Sequence, residues 1–155
     1  MNESIYLLLH NIRSVHNVGA MFRTAEASGV KKIYLSGYTP RPIDRFGRPR
    51  QDFHKSALGA ENLVPWEEVS APLILIDNLK QKGVFITALE QSPKAIDYRT
   101  IKKEKERLII VGNEVDGVER GLLEKADTIA EIPIIGKKES LNVTTALGIF
   151  LFSLI

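Results

Sequence analysis

Two kinds of hydrophobic pattern alternate along this chain. Ile5–Leu9 (IYLLL) is a continuous apolar run, which suits a strand covered on both faces. Asn17–Ser28 follows with Val18, Met21, Phe22 and Ala25 at helical spacing, and Gly29 supplies the stop. Lys31–Leu35 (KKIYL) reads as the next strand, so the opening unit is β-α-β, with a right-handed crossover and parallel strands. Farther on, Ala71–Lys82 reads as a helix with Pro72 in its first turn and Gly83 at its end, and Val84–Leu89 as a third strand. Arg107–Gly112, Val118–Ala126, Thr128–Ile132 and Asn142–Ile155 continue as strand, short helix, strand and final helix. The implied class is α/β: an open, mainly parallel sheet with helices on both faces.

Two segments depart from this alternation. Gly37–His54 carries three prolines, two glycines and four arginines with no apolar period, and reads as a long loop of the kind that works as a lid or binding surface. Ala146–Ile155 (ALGIFLFSLI) holds no charge, so none of its faces is built for water. Packing the outer face of such a helix against a second copy is more economical than hiding it inside one small domain, which points to a homodimer.

Composition narrows the chemistry. At 155 residues, 44% hydrophobic and 26% charged, the chain is expected to form one domain over 1–155, with no second domain. The formal net charge of +2 is compatible with a polyanionic partner without demanding one. There is no cysteine, and His10, His16 and His54 show no ligand spacing, so neither thiolate chemistry nor a metal is expected. The early apolar run is too short for a signal segment or a membrane span, so no membrane association and a cytoplasmic location are expected.

Three segments place polar residues where a strand yields to a loop or helix, the usual ligand edge of an open α/β sheet. Asn17 is a good helix cap, and Arg23 with Glu26 three residues on reads equally as a surface ion pair. Gly112-Asn113-Glu114 ends an apolar strand before the Asp116-Gly117 turn signal; it is either a plain connection or a ligand loop presenting Glu114. Ser140-Leu141-Asn142 stands at the mouth of the last helix, as a cap or an anion site.

Taken together, in order, NIRSVHNVGAMFRTAEASG, VGNEVDGV and IPIIGKKESLNVTTAL resemble the three motifs of the SpoU (TrmH-like) class of the SPOUT methyltransferase superfamily. Lys55–Glu61 (KSALGAE) adds to the likeness, which spans essentially the whole chain. The resemblance implies an RNA ribose 2′-O-methyltransferase using S-adenosylmethionine, with tRNA slightly preferred over rRNA, and a C-terminal deep trefoil knot. It implies a bent cofactor held by three knot loops, here Ala88 and Leu89, Gly112 and Asn113, and Ile132, Ile134 and Leu141. By motif match, the implied catalytic residues are Arg23, Asn17, Glu114, Ser140 and Asn142, from both subunits. Arginine is a poor proton acceptor, so the role assigned to Arg23 is phosphate clamping and stabilisation of a developing alkoxide; Glu114 would orient Arg23 or nearby loops.

The same reading makes Arg41, Arg45, Arg48, Arg50 and Lys55 RNA-binding, with Tyr38, Phe46 and Phe53 as stacking surfaces. Two rival classes stay open: a noncatalytic RNA-binding module, and a Rossmann-type nucleotide enzyme, which would lack its usual glycine fingerprint.

Overall fold

A computed structural model describes residues 2–155. Its strands are β1 (Ser4–His10), β2 (Lys32–Ser36), β3 (Trp66–Val69), β4 (Phe85–Leu89), β5 (Ile96–Asp97), β6 (Glu106–Val111) and β7 (Thr128–Glu131). Its helices are α1 (Val15–Ala27), α2 (Gln51–Ala57), α3 (Pro72–Gln81), α4 (Arg120–Lys125) and α5 (Val143–Ser153). The strands form one sheet in the order β3-β2-β1-β6-β4-β7-β5, and every pairing is parallel.

The apolar runs explain the centre of that order. β1 and β6 lie side by side, Leu7 opposite Ile109 and Leu9 opposite Val111, and all four side chains are buried. Leu7, Leu9, Ile109 and Val111 join one core cluster with α1, α2 and α5; Leu8, Ile86, Leu108 and Ile110 join a second with α3 and α4. Successive residues of a strand face opposite ways, so a run apolar at every position requires helices on both faces. The α/β class read from the pattern therefore holds.

Several local readings need correction. Ser14, not Asn17, caps α1, its Oγ accepting from the Asn17 N–H at 3.1 Å. The 37–54 stretch is not an unstructured loop. Asp44 Oδ1 accepts from the N–H groups of Phe46 (2.8 Å) and Arg48 (3.0 Å), Ile43 bridges Pro49, and α2 begins at Gln51. Phe53 is fully buried, edge-on to Phe22 with ring centroids 5.1 Å apart, so it offers no stacking surface. Seven residues of helix are too few to display a period, which is why α2 was invisible. β3 and β5 went unread for similar reasons: one is a four-residue edge strand with two glutamates, the other spans two residues.

At the amino side of the sheet, Arg107 is wholly buried on β6. Its Nε donates to Glu3 Oε1 at 2.6 Å, its other nitrogens to Thr87 Oγ1 and the Lys102 carbonyl, and its guanidinium lies over the Phe85 ring. The chain ahead of β1 is thereby tied to β4 and β6.

Candidate active site

β6, β4 and β7 are neighbours and run the same way, so the segments leaving them must meet at one edge. Leu89–Pro93, Gly112–Val118 and parts of the stretch from Glu131 to Ala146, Ile132, Ile134 and Glu139–Leu141 among them, line a cavity of about 530 Å3 there. The first two are clasped by one carboxylate: Glu90 Oε2 accepts from the Val118 N–H at 2.6 Å while Oε1 accepts from the Gln91 N–H at 2.9 Å. Glycine is required on both sides of the clasp. Gly117 has φ +73, and a Cβ there would lie 1.8 Å from Glu90 Oε2; a Cβ on Gly112 would lie 2.3 Å from the Gly117 carbonyl oxygen. The close approach at Gly112 is thus made by the chain itself.

Glu114 links this cavity to the start of α1. Its Oε1 accepts from the Arg13 N–H (2.9 Å), and its Oε2 from the Ser14 N–H (2.9 Å) and Asn17 Nδ2 (3.2 Å). Burial pushes its carboxyl up, but donation from Arg13, Ser14 and Asn17 outweighs this and holds it below the ordinary value. Glu114 is therefore an ionised anchor and does not serve as a proton donor at neutral pH. Beside it, Asn113 Oδ1 accepts from the Val115 and Asp116 N–H groups, and its Nδ2 donates to the Asn11 carbonyl (3.0 Å) and Tyr38 Oη (2.9 Å).

Most residues implied for the cofactor do line the cavity: Leu89, Gly112, Asn113, Ile132, Ile134 and Leu141. Ala88 does not; it is fully buried within β4, facing Ile110 and Ile129 across the sheet. Of the implied catalytic residues, Glu114 and Ser140 line the cavity, and Asn17 reaches it through Glu114. Asn142 caps α5, its Oδ1 accepting from the Thr144 N–H at 2.8 Å. Arg23 is exposed on α1, outside the cavity lining, and forms no ion pair with Glu26 among the described residues. Glu114 therefore does not orient Arg23 within one chain.

In the basic segment, Arg41 pairs with Glu68 (3.1 Å), Arg48 with Asp44 (3.0 Å) and Arg50 with Asp52 (2.7 Å). Arg45 instead lies over the exposed Phe46 ring at 4.7 Å, and Lys55 is exposed on α2. Pairing on this scale was not legible from charge counting. Glu90 was also missed, because its role depends on a glycine turn 27 residues later. His10 spans Ser36 Oγ (2.7 Å) and Glu119 Oε2 (2.5 Å), but Ser36 is only 1 % exposed. That chain ties the ends of β1 and β2 to α4 and presents no nucleophile.

α5 is one-sided. Leu147, Phe150, Leu151 and Leu154 are buried, whereas Ile149, Phe152 and Ile155 are exposed at 36 %, 51 % and 49 %. α5 lies against α1 at Thr24, where a Cβ on Gly148 would touch Thr24 Cγ2 at 3.7 Å.

Comparison with known proteins supplies the family. The model of the SpoU rRNA Methylase family matches residues 4–152. A TrmH-family protein of Staphylococcus aureus is 30% identical over 149 residues, covering 96% of this chain and 57% of the relative. The chain thus spans about half the length of the curated relatives it matches. The crystal structure of the A. aeolicus TrmH/SpoU tRNA modifying enzyme superposes with a TM-score of 0.85 at 27% identity, over 99% of this chain and 74% of that one. The AdoMet-bound rRNA methyltransferase from Sinorhizobium meliloti superposes with a TM-score of 0.82 at 29% identity, over 99% and 56%.

Proposed function

This chain belongs to the SpoU rRNA methylase family, and from that premise we propose that it is an S-adenosylmethionine-dependent RNA methyltransferase acting on a ribose 2′-hydroxyl. The observation that carries the reading is the cavity after β4, β6 and β7, joined to the first helix by Glu114. Its residues fit the cofactor. Ile132 and Leu141 offer apolar surface to an adenine ring, and Glu90, Asp116, Glu131 and Glu139 make the lining acidic, which favours a sulfonium and an ammonium. When bound, the cofactor supplies a methyl group on a positively charged sulfur. The Sinorhizobium meliloti relative, solved with AdoMet, supports this assignment.

The chain's own residues then have distinct tasks. Glu114, ionised, holds the loop before α1 against the cavity wall. Asn142 fixes the start of α5 and so the position of Ser140 and Leu141, which line the cavity. Arg23 clamps the substrate phosphate and stabilises negative charge developing on the 2′-oxygen, a task suited to a permanently charged fork of donors. A second copy packed on the exposed Ile149, Phe152 and Ile155 covers that apolar stripe, and, with an active site built from both subunits as the family motifs imply, Arg23 serves the partner's cavity. The functional unit is accordingly a homodimer.

Tyr98 and Ile101 pack on the same core as α5, and a trefoil knot in this part of the chain is what the family motifs imply. The substrate is tRNA or rRNA, with tRNA favoured by the A. aeolicus relative, of which this chain covers the larger share.

The test is Arg23→Ala. It is expected to keep its melting temperature and its calorimetric affinity for S-adenosylhomocysteine while losing transfer of labelled methyl groups to bulk RNA. Undiminished turnover in that variant would refute the role of Arg23, and absence of S-adenosylhomocysteine binding by the wild type would favour a noncatalytic RNA-binding module.

A further inference from the structure

A second cavity, of about 510 Å3, adjoins the first and is lined by Arg13, Tyr38, Asn113, Val115 and Asp116. It shares Asn113, Val115 and Asp116 with the cavity assigned to the cofactor. It shares Tyr38 with a third cavity, of about 530 Å3, in the arginine-rich segment. The three follow the order of the strands: β7, β4 and β6 serve the first, β6, β1 and β2 the second, and the segment after β2 the third. Three neighbouring cavities thus follow the carboxyl edge of the sheet.

The chemistry of the middle cavity differs from that of the arginine-rich segment. Arg41, Arg48 and Arg50 are each matched to a carboxylate, whereas Arg13 is exposed and forms no ion pair among the described residues. Its backbone is fixed, because its own N–H is held by Glu114 Oε1 at 2.9 Å, and its side chain lines the cavity. Asp116 shares the cavity, so the site is not uniformly basic. Tyr38 is 57 % exposed, yet anchored at both ends: its N–H donates to Asn11 Oδ1 (3.2 Å), and its Oη accepts from Asn113 Nδ2 (2.9 Å). An aromatic ring held at both ends with its face open is a stacking platform that loses little freedom on binding. A volume within the ~300–1,000 Å3 range of small-ligand sites is sufficient for one nucleotide.

We propose that Arg13 and Tyr38 form a subsite for the nucleotide adjacent to the methylated one, with its base on the Tyr38 ring and its phosphate on the Arg13 guanidinium. A base can reach the ring only when it is unpaired, so the substrate is single-stranded RNA at this point, as in a loop or bulge. The inference rests on the methyltransferase reading and adds to it the class of RNA and the residues that select it.

The test is fluorescence anisotropy with a short fluorescein-labelled single-stranded oligoribonucleotide and the duplex of the same sequence, using the full chain saturated with S-adenosylhomocysteine. Tyr38→Ala is expected to weaken single-strand binding about tenfold, while Tyr38→Phe, which keeps the ring and loses the Asn113 bond, stays within about twofold. Arg13→Ala is expected to weaken it about five- to tenfold and to lower the salt dependence by about one phosphate contact, with Arg13→Lys recovering most of the loss. Duplex binding and calorimetric affinity for S-adenosylhomocysteine stay at wild-type values in all four variants. Single-strand affinity untouched by Tyr38→Ala and Arg13→Ala, with S-adenosylhomocysteine still bound, overturns the subsite alone. Equal losses in Tyr38→Phe and Tyr38→Ala also overturn it, because they assign the effect to the Asn113 hydrogen bond. A wild type that binds neither S-adenosylhomocysteine nor RNA overturns the methyltransferase reading, and the subsite with it.

Discussion

Replacing Glu114 by glutamine removes one charge and keeps the shape, so it isolates what the carboxylate does. The native group accepts from the Arg13 and Ser14 N–H groups at 2.9 Å each and from Asn17 Nδ2 at 3.2 Å. Hydrogen bonds to a charged acceptor contribute about 1.5–3 kcal/mol each when buried. Glutamine keeps a single acceptor oxygen and turns an NH2 group toward at least one of these donors. Because Glu114 is only half-buried and its donors regain water, the lower end applies, and the expected loss is about 2 kcal/mol. For a chain of this length that lowers the melting temperature by roughly 4–8 °C. The pH dependence gives a sharper check. The folded-state carboxyl is held below its ordinary value, so its contribution is fully present above the unfolded value of about 4.3 and is lost as pH falls through the folded one. Thermal unfolding followed by circular dichroism should therefore show the widest gap between wild type and Glu114→Gln at neutral pH, narrowing below about pH 4. Equal melting temperatures at neutral pH, or a gap that persists undiminished into acid, would refute the anchor role.

Two other perturbations probe parts of the molecule away from the cavity. Arg107→Met strands the Glu3 carboxylate in the core, where Oε2 already lacks a partner, and should cost about 3–5 kcal/mol in denaturant unfolding. Adding Glu3→Leu should recover much of that loss, and a single variant within about 1 kcal/mol of wild type would contradict the burial argument. Phe152→Glu places a charge on the exposed stripe of α5, a change worth no more than about 0.5 kcal/mol on a free surface but prohibitive in an apolar interface. Sedimentation equilibrium should find a wild-type dimer and a folded monomeric variant; a monomeric wild type would remove the basis for a shared active site.

Much of the framework was legible in the chain itself. An apolar run such as Ile5–Leu9 can satisfy water nowhere, so it required a two-sided sheet whatever its neighbours were. The spacing of Val18, Met21, Phe22 and Ala25 likewise selected a helix, and all four side chains are buried. The order of three polar segments was sufficient to identify the family and most of the cavity lining. Less was legible where the decisive partner lies far away. Nothing adjacent to Glu114 says that it will hold residues 97 to 101 positions earlier, and nothing adjacent to Phe53 says that Phe22 will cover it. The arginine-rich segment shows the same limit, since Arg41 finds its counter-ion on β3, an edge strand too short to announce itself.

Alone, then, the sequence determined the longer strands and helices, that the sheet must be covered on both sides, and to which family the motifs belong. These depend on side-chain periodicity and residue order, which are properties of near neighbours. Only the tertiary structure decided that β6 would lie between β1 and β4, that three loops would enclose one cavity, and that Arg13 and Tyr38 would stand at its door. Such contacts close long stretches of chain, and whether they form depends on how the whole sheet is ordered and not on any one segment.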